Sequence, residues 1–114
     1  MSIPTPGTPV RGSKSGVPVM ALFDLLGRTW AMGVIWQLRQ GPCSFRELQD
    51  RCESISPSIL NSRIKDLREA GIAERSLTGY QLTPRGEELI RLLLPFGEWS
   101  QQWAREMFDV APFC

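Results

Sequence analysis

The sequence predicts a mainly α-helical domain with one small β-hairpin, and three features of residues 44–82 carry that prediction. Two helical segments with capping residues are separated by only a few residues. The second segment ends at Gly71, and two short apolar stretches that turn at residues 77–79 follow it. Two helices joined by a tight turn and followed by a hairpin are the outline of a winged helix-turn-helix.

The first helix of this pair should begin at about Phe45. Ser44, with Glu47 three residues later, has the pattern of a capping box, in which each side chain accepts a hydrogen bond from the other residue's backbone N–H. One face of the helix is apolar at helical spacing and should be buried. That face holds Phe45, Leu48 and Cys52.

The second helix should span about residues 57–70. Ser56 suits the N-cap, Pro57 suits the first helical position, and Gly71 suits a left-handed C-cap. At about 100° per residue, one side of this helix is apolar and the opposite side is polar. The side predicted to be buried holds Leu60, Ile64 and Leu67, and the side predicted to be exposed holds Ser58, Asn61, Ser62, Lys65 and Glu69.

The polar side of the second helix suits the base edges of a DNA major groove, which is about 12 Å wide. Asn61 can pair with adenine, Lys65 can bind guanine or a phosphate, and the serines can bind either. An ordinary solvated helix face has a similar composition. The caps, the tight turn and the following hairpin favour the interpretation as a DNA recognition helix.

The other elements are predicted from apolar spacing and from stop signals such as Gly27 and Gly41. In chain order they are helices over 19–26 and 29–40, a minimal strand at 43–44, and wing strands over 72–76 and 80–83. Arg75, at the base of the wing, is its one basic residue. A phosphate contact and a purely structural hairpin both remain open for the wing.

The last helix should open with Thr83 as its N-cap and Pro84 at its first position. Pro95 should kink it, because proline lacks the N–H that the helix needs. Its aromatic residues exceed what so small a domain needs for its own core, so we expect this helix and the first one to form a homodimer interface. Packing within one subunit is the alternative. The predicted interface residues are Leu22, Trp36, Leu92, Phe96, Trp99 and Trp103.

Length and composition predict one domain. The 114 residues suffice for a single core, and no apolar run approaches the roughly 20 residues of a membrane-spanning helix. Residues 1–17 are rich in Pro, Gly, Ser and Thr and predict a disordered tail, which leaves residues 18–114 as the domain. The first residues lack an apolar signal-peptide core, so a cytoplasmic location is expected.

Charge and side-chain chemistry restrict the function further. Thirteen basic and twelve acidic residues give a net charge of +1, so DNA binding would need local placement of cations and dimerisation. The chain has no histidine, no phosphate-binding glycine loop and no nucleophile motif, which argues against an enzyme, a cofactor and a metal site. The three cysteines are expected to be reduced, and an oxidation switch at Cys43 or Cys52 stays open.

Six short stretches, taken together, carry a family resemblance. They are LLGRTW at 25–30, GPCSFREL at 41–48, ISPSIL at 55–60, RIKDL at 63–67, AGI at 70–72 and YQLTPRG at 80–86. In this order they resemble the HxlR-type winged-helix regulators of bacteria, over about residues 19–104. The resemblance implies a homodimer that presents two recognition helices and acts as a transcriptional regulator.

The resemblance also implies roles for individual residues. Contacts of the recognition helix fall on Ser56, Ser58, Asn61, Ser62, Arg63 and Lys65, and contacts to the DNA backbone fall on Ser44, Arg46 and Arg75. Several members of the family sense electrophiles or oxidants through a cysteine just before the first helix. Residues 16–21 hold no cysteine, so the resemblance does not imply that mode of sensing here.

Two alternatives concern what the domain binds. A winged-helix module that binds another protein would fit the neutral charge, the aromatic C-terminus and the acids near the recognition helix, which are Asp66, Glu69 and Glu74. Separately, the four tryptophans could border an aromatic cavity for a small apolar effector. Core packing is the simpler explanation for Trp30, Trp36, Trp99 and Trp103.

Overall fold

The computed structural model describes residues 3–110, and within that range it has five helices and one antiparallel hairpin. The elements are α1 (Pro18–Leu26), α2 (Ala31–Leu38), α3 (Phe45–Arg51), α4 (Pro57–Glu69), β1 (Ala73–Arg75), β2 (Tyr80–Leu82) and α5 (Pro84–Phe108). This order confirms the predicted class, a mainly α winged helix-turn-helix. None of the single helices in this range is both long and apolar enough to cross a membrane.

The core lies where α2, α3 and α4 meet. The apolar side predicted for α4 is buried, and on α3 Leu48 and Cys52 are buried while Phe45 is partly buried, which fixes the rotation of both helices about their axes. The largest of the fully buried side chains are Val34, Ile35, Leu38, Cys43, Leu48, Cys52, Leu60 and Leu67. Ile72, Leu82 and Ile90 extend this core beneath the hairpin and the start of α5.

The caps of the helix-turn-helix form as predicted. The Ser44 hydroxyl accepts a hydrogen bond from the Glu47 backbone N–H at 3.1 Å, and the Glu47 carboxylate accepts one from the Ser44 N–H at 2.8 Å. The Ser56 hydroxyl accepts a hydrogen bond from the Ile59 N–H at 3.2 Å. These bonds satisfy backbone donors that the first turn of a helix leaves free.

The C-terminus of α4 is a Schellman motif around Gly71, whose φ of +76° lies in the left-handed region that glycine adopts without strain. The Ile72 N–H donates to the Leu67 carbonyl at 2.9 Å, and the Gly71 N–H donates to the Arg68 carbonyl at 3.1 Å. The predicted C-cap is therefore confirmed, and it directs the chain from α4 into β1.

The hairpin pairs Ala73 with Leu82 and Arg75 with Tyr80. Cys43 adds a bridge on Tyr80 through two backbone hydrogen bonds of 3.0 and 2.9 Å, as expected for a minimal strand. The strands are shorter than the predicted 72–76 and 80–83. Ser76 is part of the turn, where its N–H donates to the Gly79 carbonyl, and Thr83 is the N-cap of α5.

Helix α2 begins later and ends earlier than the predicted span of 29–40. Trp30 has a φ of +67°, which places it outside the helix, and the first helical residue is Ala31. The Trp30 ring turns back over Gly33, where any Cβ atom would collide with it. The packing of this indole on the core therefore displaces the start of the helix by two residues.

Helix α5 is one continuous element through Pro95, and the predicted kink there stays a prediction. One side of α5 faces the subunit: Gly86, Ile90 and Leu93 are buried, and Gly97 lies under the Trp36 ring, where a Cβ atom would collide. One side of α5, as far as Gly97, is thus packed on the core. Phe113 and Cys114 lie outside the described residues.

Residues 3–17 form turns that lie against α1. The backbone N–H and the guanidinium of Arg11 both contact the Asp24 carboxylate, at 3.0 and 3.3 Å, and Ile3 packs against the core. Disorder of residues 1–17 and a domain boundary at residue 18 stay predictions, and residues 1–2 lie outside the described range.

Candidate nucleic-acid interface

The polar side of α4 is open to solvent along its whole length. Ser58, Asn61, Ser62 and Lys65 are all exposed, whereas Leu60, Ile64 and Leu67 on the opposite side are buried. The buried side holds the helix rigidly, and the exposed side chains are free of contacts that would have to be broken on binding. None of these four side chains makes a hydrogen bond or ion pair among the described residues.

Cations gather where the second half of α4 meets the wing. Lys65, Arg68 and Arg75 line one shallow depression, which also includes the acids Glu69 and Glu74. Arg68 is exposed and was missed by the sequence-based reasoning. A basic residue three positions after Lys65 lies one turn further along the same helix, and that spacing was the available signal.

The start of α3 contributes a second polar group. Arg46 is exposed, while the Ser44 hydroxyl is engaged in capping α3. The hydrogen bond from the Ser44 N–H lowers the pKa of the Glu47 carboxyl, and the bond from the Ser44 side chain lowers it further. Glu47 is therefore ionised at neutral pH and places a negative charge next to Arg46 in sequence.

The remaining predicted contact residues differ in their surroundings. Ser56 is exposed but serves as the N-cap of α4. Arg63 is largely buried and donates a hydrogen bond to the Asp66 carboxylate, so it does not lie on the exposed polar side. The Arg75 guanidinium lies 5.6 Å from the centre of the Tyr80 ring at the base of the wing. Leu77, at the tip, is fully exposed.

An apolar surface covers the outer side of α5. Leu92, Phe96, Trp99 and Trp103 are exposed and follow one another at steps of four, three and four residues. The Trp99 and Trp103 rings stack at 6.1 Å, and Trp103 meets Phe108 edge-on at 5.2 Å. We call these four residues the α5 aromatic surface. Among the described residues nothing covers it.

The other two predicted interface residues are partly buried within the subunit. The Trp36 ring packs between Gly97 of α5 and the Arg39 guanidinium, which lies 4.5 Å from the ring centre. Leu22 of α1 lines a pocket with residues 3–6. Trp30 and Trp36 thus pack on the core, while Trp99 and Trp103 line an outer groove, so the four tryptophans are split between two places.

The two cysteines within the described residues, Cys43 and Cys52, are poorly suited to redox chemistry. Cys43 and Cys52 are free and fully buried, and burial raises the pKa of both thiols above the ordinary value. The reactive thiolate is therefore scarce at neutral pH. Within the described residues no group of three or more His, Cys, Asp or Glu side chains could hold a metal ion.

A second helix packed on the core with a bare polar side, a tight turn before it and a hairpin after it together define a winged helix-turn-helix. The model of the HxlR-like helix-turn-helix family matches residues 25–108. The chain therefore belongs to the HxlR-like family and is a DNA-binding regulator of the helix-turn-helix type.

Individual relatives agree with this assignment. YvaP of Bacillus subtilis (strain 168), an HTH-type transcriptional regulator, is 26% identical over 92 residues, which cover 75% of this chain and 85% of YvaP. The crystal structure of quinone-bound YodB from B. subtilis matches with a TM-score of 0.68 and 32% identity, over 75% of this chain and 97% of that one. The crystal structure described as a possible HxlR family transcriptional factor from Thermoplasma volcanium GSS1 matches with a TM-score of 0.67 and 30% identity, over 74% of this chain and 82% of that one.

Proposed function

We propose that this chain acts in the cytoplasm as a homodimeric transcriptional regulator that inserts α4 into the DNA major groove. One observation carries the proposal: the side of α4 opposite the core is bare and holds Ser58, Asn61, Ser62 and Lys65. Asn61 suits adenine and Lys65 suits guanine, because their donors and acceptors match the edges of those bases in the major groove.

Phosphate contacts complete the proposed interface. Lys65, Arg68 and Arg75 form a cationic rim between α4 and the wing, and Arg46 is exposed on α3. Ser44 and Ser56, to which the family resemblance assigns DNA contacts, cap the N-termini of α3 and α4, where the helix dipole favours an anion. This local clustering compensates for a net charge of only +1, since counterions are released by the cations that meet the phosphates.

Dimerisation through α5 and α1 would present two copies of α4. The α5 aromatic surface supports this proposal, because exposed contiguous apolar side chains of this size mark an interaction site. Leu22 on α1 is the proposed contribution of the first helix. Trp36 contributes indirectly, since its ring packs under the helix that carries the aromatic surface.

A small apolar effector is a second part of the proposal. The groove lined by Pro95, Phe96, Trp99, Ser100 and Trp103 offers aromatic walls, and the relative YodB has been crystallised with a quinone. An effector held there would act on the dimer contact. A panel of aromatic compounds should change the tryptophan fluorescence and the melting temperature; a panel that leaves both unchanged would exclude this part.

The DNA-binding proposal is tested by selecting duplexes from a random-sequence pool with the purified chain. The affinity for a selected duplex should then fall steeply between about 50 and 200 mM salt, because bound phosphates release counterions. Retention of no duplex at the lowest salt would favour the alternative, a winged-helix module that binds another protein.

A further inference from the structure

Asp66 is a buried carboxylate on α4 with a residual exposure of 5%, which makes it the buried charged residue of the described core. Two arginines meet on the same oxygen atom. Arg28 Nη1 lies 3.0 Å from Asp66 Oδ2, and Arg63 Nη1 lies 2.6 Å from it. We call this group the Asp66 latch.

The latch joins two parts of the fold that are distant in sequence. Arg28 lies in the turn between α1 and α2, whereas Arg63 and Asp66 lie on α4 one turn apart. The latch therefore fixes α4 to the corner that leads from α1 into the core. Buried ion pairs contribute little net stability because desolvation offsets their attraction, and their better-supported role is to select one arrangement of the packed elements.

Arg63 has one unsatisfied hydrogen-bond donor within this latch. Its Nε is buried and has no hydrogen-bond partner among the described residues, so the side chain accepts the loss of one hydrogen bond in order to reach Asp66. A guanidinium that served only to contact DNA would gain by turning to solvent, where all of its donors are hydrated. The carboxylate is the group that keeps it inside.

We infer that Asp66 is a positioning residue for DNA recognition, which acts through Arg63: it holds this guanidinium away from the DNA and fixes the orientation of α4. The inference rests on the proposed DNA-binding function and deepens it. It differs from the role that the family resemblance implies for Arg63, which is a direct contact by the recognition helix. Within the latch Arg63 affects specificity indirectly, because its guanidinium is kept off the DNA. The exposed side chains of α4 make the contacts.

The two roles of Arg63, direct contact and confinement in the latch, predict different effects of its substitution on the salt dependence of binding. Removing a cation that contacts a phosphate lowers the slope of log affinity against log salt by about 0.9 per contact. Arg63→Gln should therefore leave the slope unchanged if Arg63 is held in the latch. Asp66→Asn should release Arg63 toward the DNA, steepen the slope by up to about 0.9 per subunit and tighten binding to unrelated duplex.

The experiment measures fluorescence anisotropy of a selected duplex and of its scrambled version over a salt series, for wild type, Asp66→Asn and Arg63→Gln. Arg68→Gln is the matched control, because it makes the same substitution at an exposed position of α4 and should lower the slope. Asp50→Asn controls for the loss of one negative charge at an exposed site on α3. Asp66→Asn should lower the affinity ratio of selected to scrambled duplex at least several-fold, and Asp50→Asn should not.

A slope that falls with Arg63→Gln as it does with Arg68→Gln would overturn the latch and restore a direct contact. A lower melting temperature with unchanged slope and ratio in Asp66→Asn would reduce the latch to a structural role and also overturn the inference. If Asp66→Asn does not fold, Arg63→Gln decides alone. Failure of the wild type to bind either duplex would instead refute the proposed function, and with it the inference.

Discussion

Helices α4 and α5 are both amphipathic, yet they leave opposite sides exposed. On α4 the apolar residues Leu60 and Leu67 are completely buried, and the polar residues face solvent. On α5 the apolar residues Leu92, Phe96 and Trp99 are 70%, 68% and 65% exposed. The apolar side of α4 is therefore buried within the subunit, whereas the outer apolar side of α5 is exposed.

This difference separates the two tasks that we propose. A helix whose apolar side is sealed can offer its polar side to a polar ligand without losing its own packing, which suits DNA. A helix whose outer apolar side has no cover within the described subunit gains most by burying it against another apolar surface. A second copy of the same helix provides such a surface and creates a symmetric contact.

The largest expected effect is on stability, and it comes from removing a buried side chain of α4. Leu67→Ala should lower the free energy of unfolding by about 2–5 kcal/mol, because it removes a fully buried side chain and leaves a cavity. Leu92→Ala is the matched control on the exposed surface, and its cost in a dilute sample of monomer should stay within about 0.5 kcal/mol. Urea denaturation of both variants measures the difference. Equal losses would contradict the contrast between the two helices.

The next effect is on dimerisation, and it comes from removing an exposed aromatic side chain of α5. Trp99→Ala should weaken the homodimer by about 30-fold or more, because a large aromatic side chain at the centre of an interface contributes about 2 kcal/mol or more. Sedimentation equilibrium over a range of protein concentrations measures the dissociation constant. A wild type that remains monomeric at all concentrations, or a Trp99→Ala variant that dimerises equally well, would refute this assignment of the interface.

A smaller effect concerns the polar side of α4. Asn61→Ala and Lys65→Ala should weaken or relax sequence-specific binding by roughly 1–3 kcal/mol each, while their stability should change by no more than about 0.5 kcal/mol. Both side chains are exposed, so the fold does not depend on them. Binding to a selected duplex, measured beside the melting temperature, separates the two quantities. Unchanged selectivity in both variants would mean that residues other than Asn61 and Lys65 recognise the DNA sequence.

The smallest expected effect lies at the start of α3. The pKa of Glu47 is lowered in the folded state by its hydrogen bond with Ser44, so this bond stabilises the fold above the ordinary pKa of 4.5 and is lost as the pH falls through the lower folded value. Glu47→Gln should therefore melt slightly below wild type at neutral pH and equal to it in acid. A difference in melting temperature that is independent of pH would argue against this linkage.

The parts of the fold that the sequence predicts well depend on local interactions. Ser44, Ser56 and Gly71 cap helices through bonds to residues only a few positions away, and the alternation of polar and apolar residues on α4 follows from helical geometry alone. Their chemistry is visible within a short window of sequence. The polar side of α4 could therefore be identified before any coordinates were known.

The parts that sequence reasoning missed depend on contacts between distant elements. The sequence places Asp66 among the acids near the recognition helix, but it does not reveal that Arg28 of the α1–α2 turn pairs with this carboxylate. The contact of the Trp36 ring with Gly97 of α5 is likewise not visible in the sequence. The place of Trp36 in the dimer interface stays a prediction. Spacing along one helix cannot reveal such partners, because the partner belongs to another element.

The most direct test of the account is a hydroxyl-radical footprint of the wild-type chain on a selected duplex. A dimer that places two α4 helices in successive major grooves should protect two patches with centres about 10 base pairs apart, and the complex should contain two subunits per duplex. A single protected patch, or a complex with one subunit, would contradict the proposal that dimerisation through α5 presents the polar side of α4 twice.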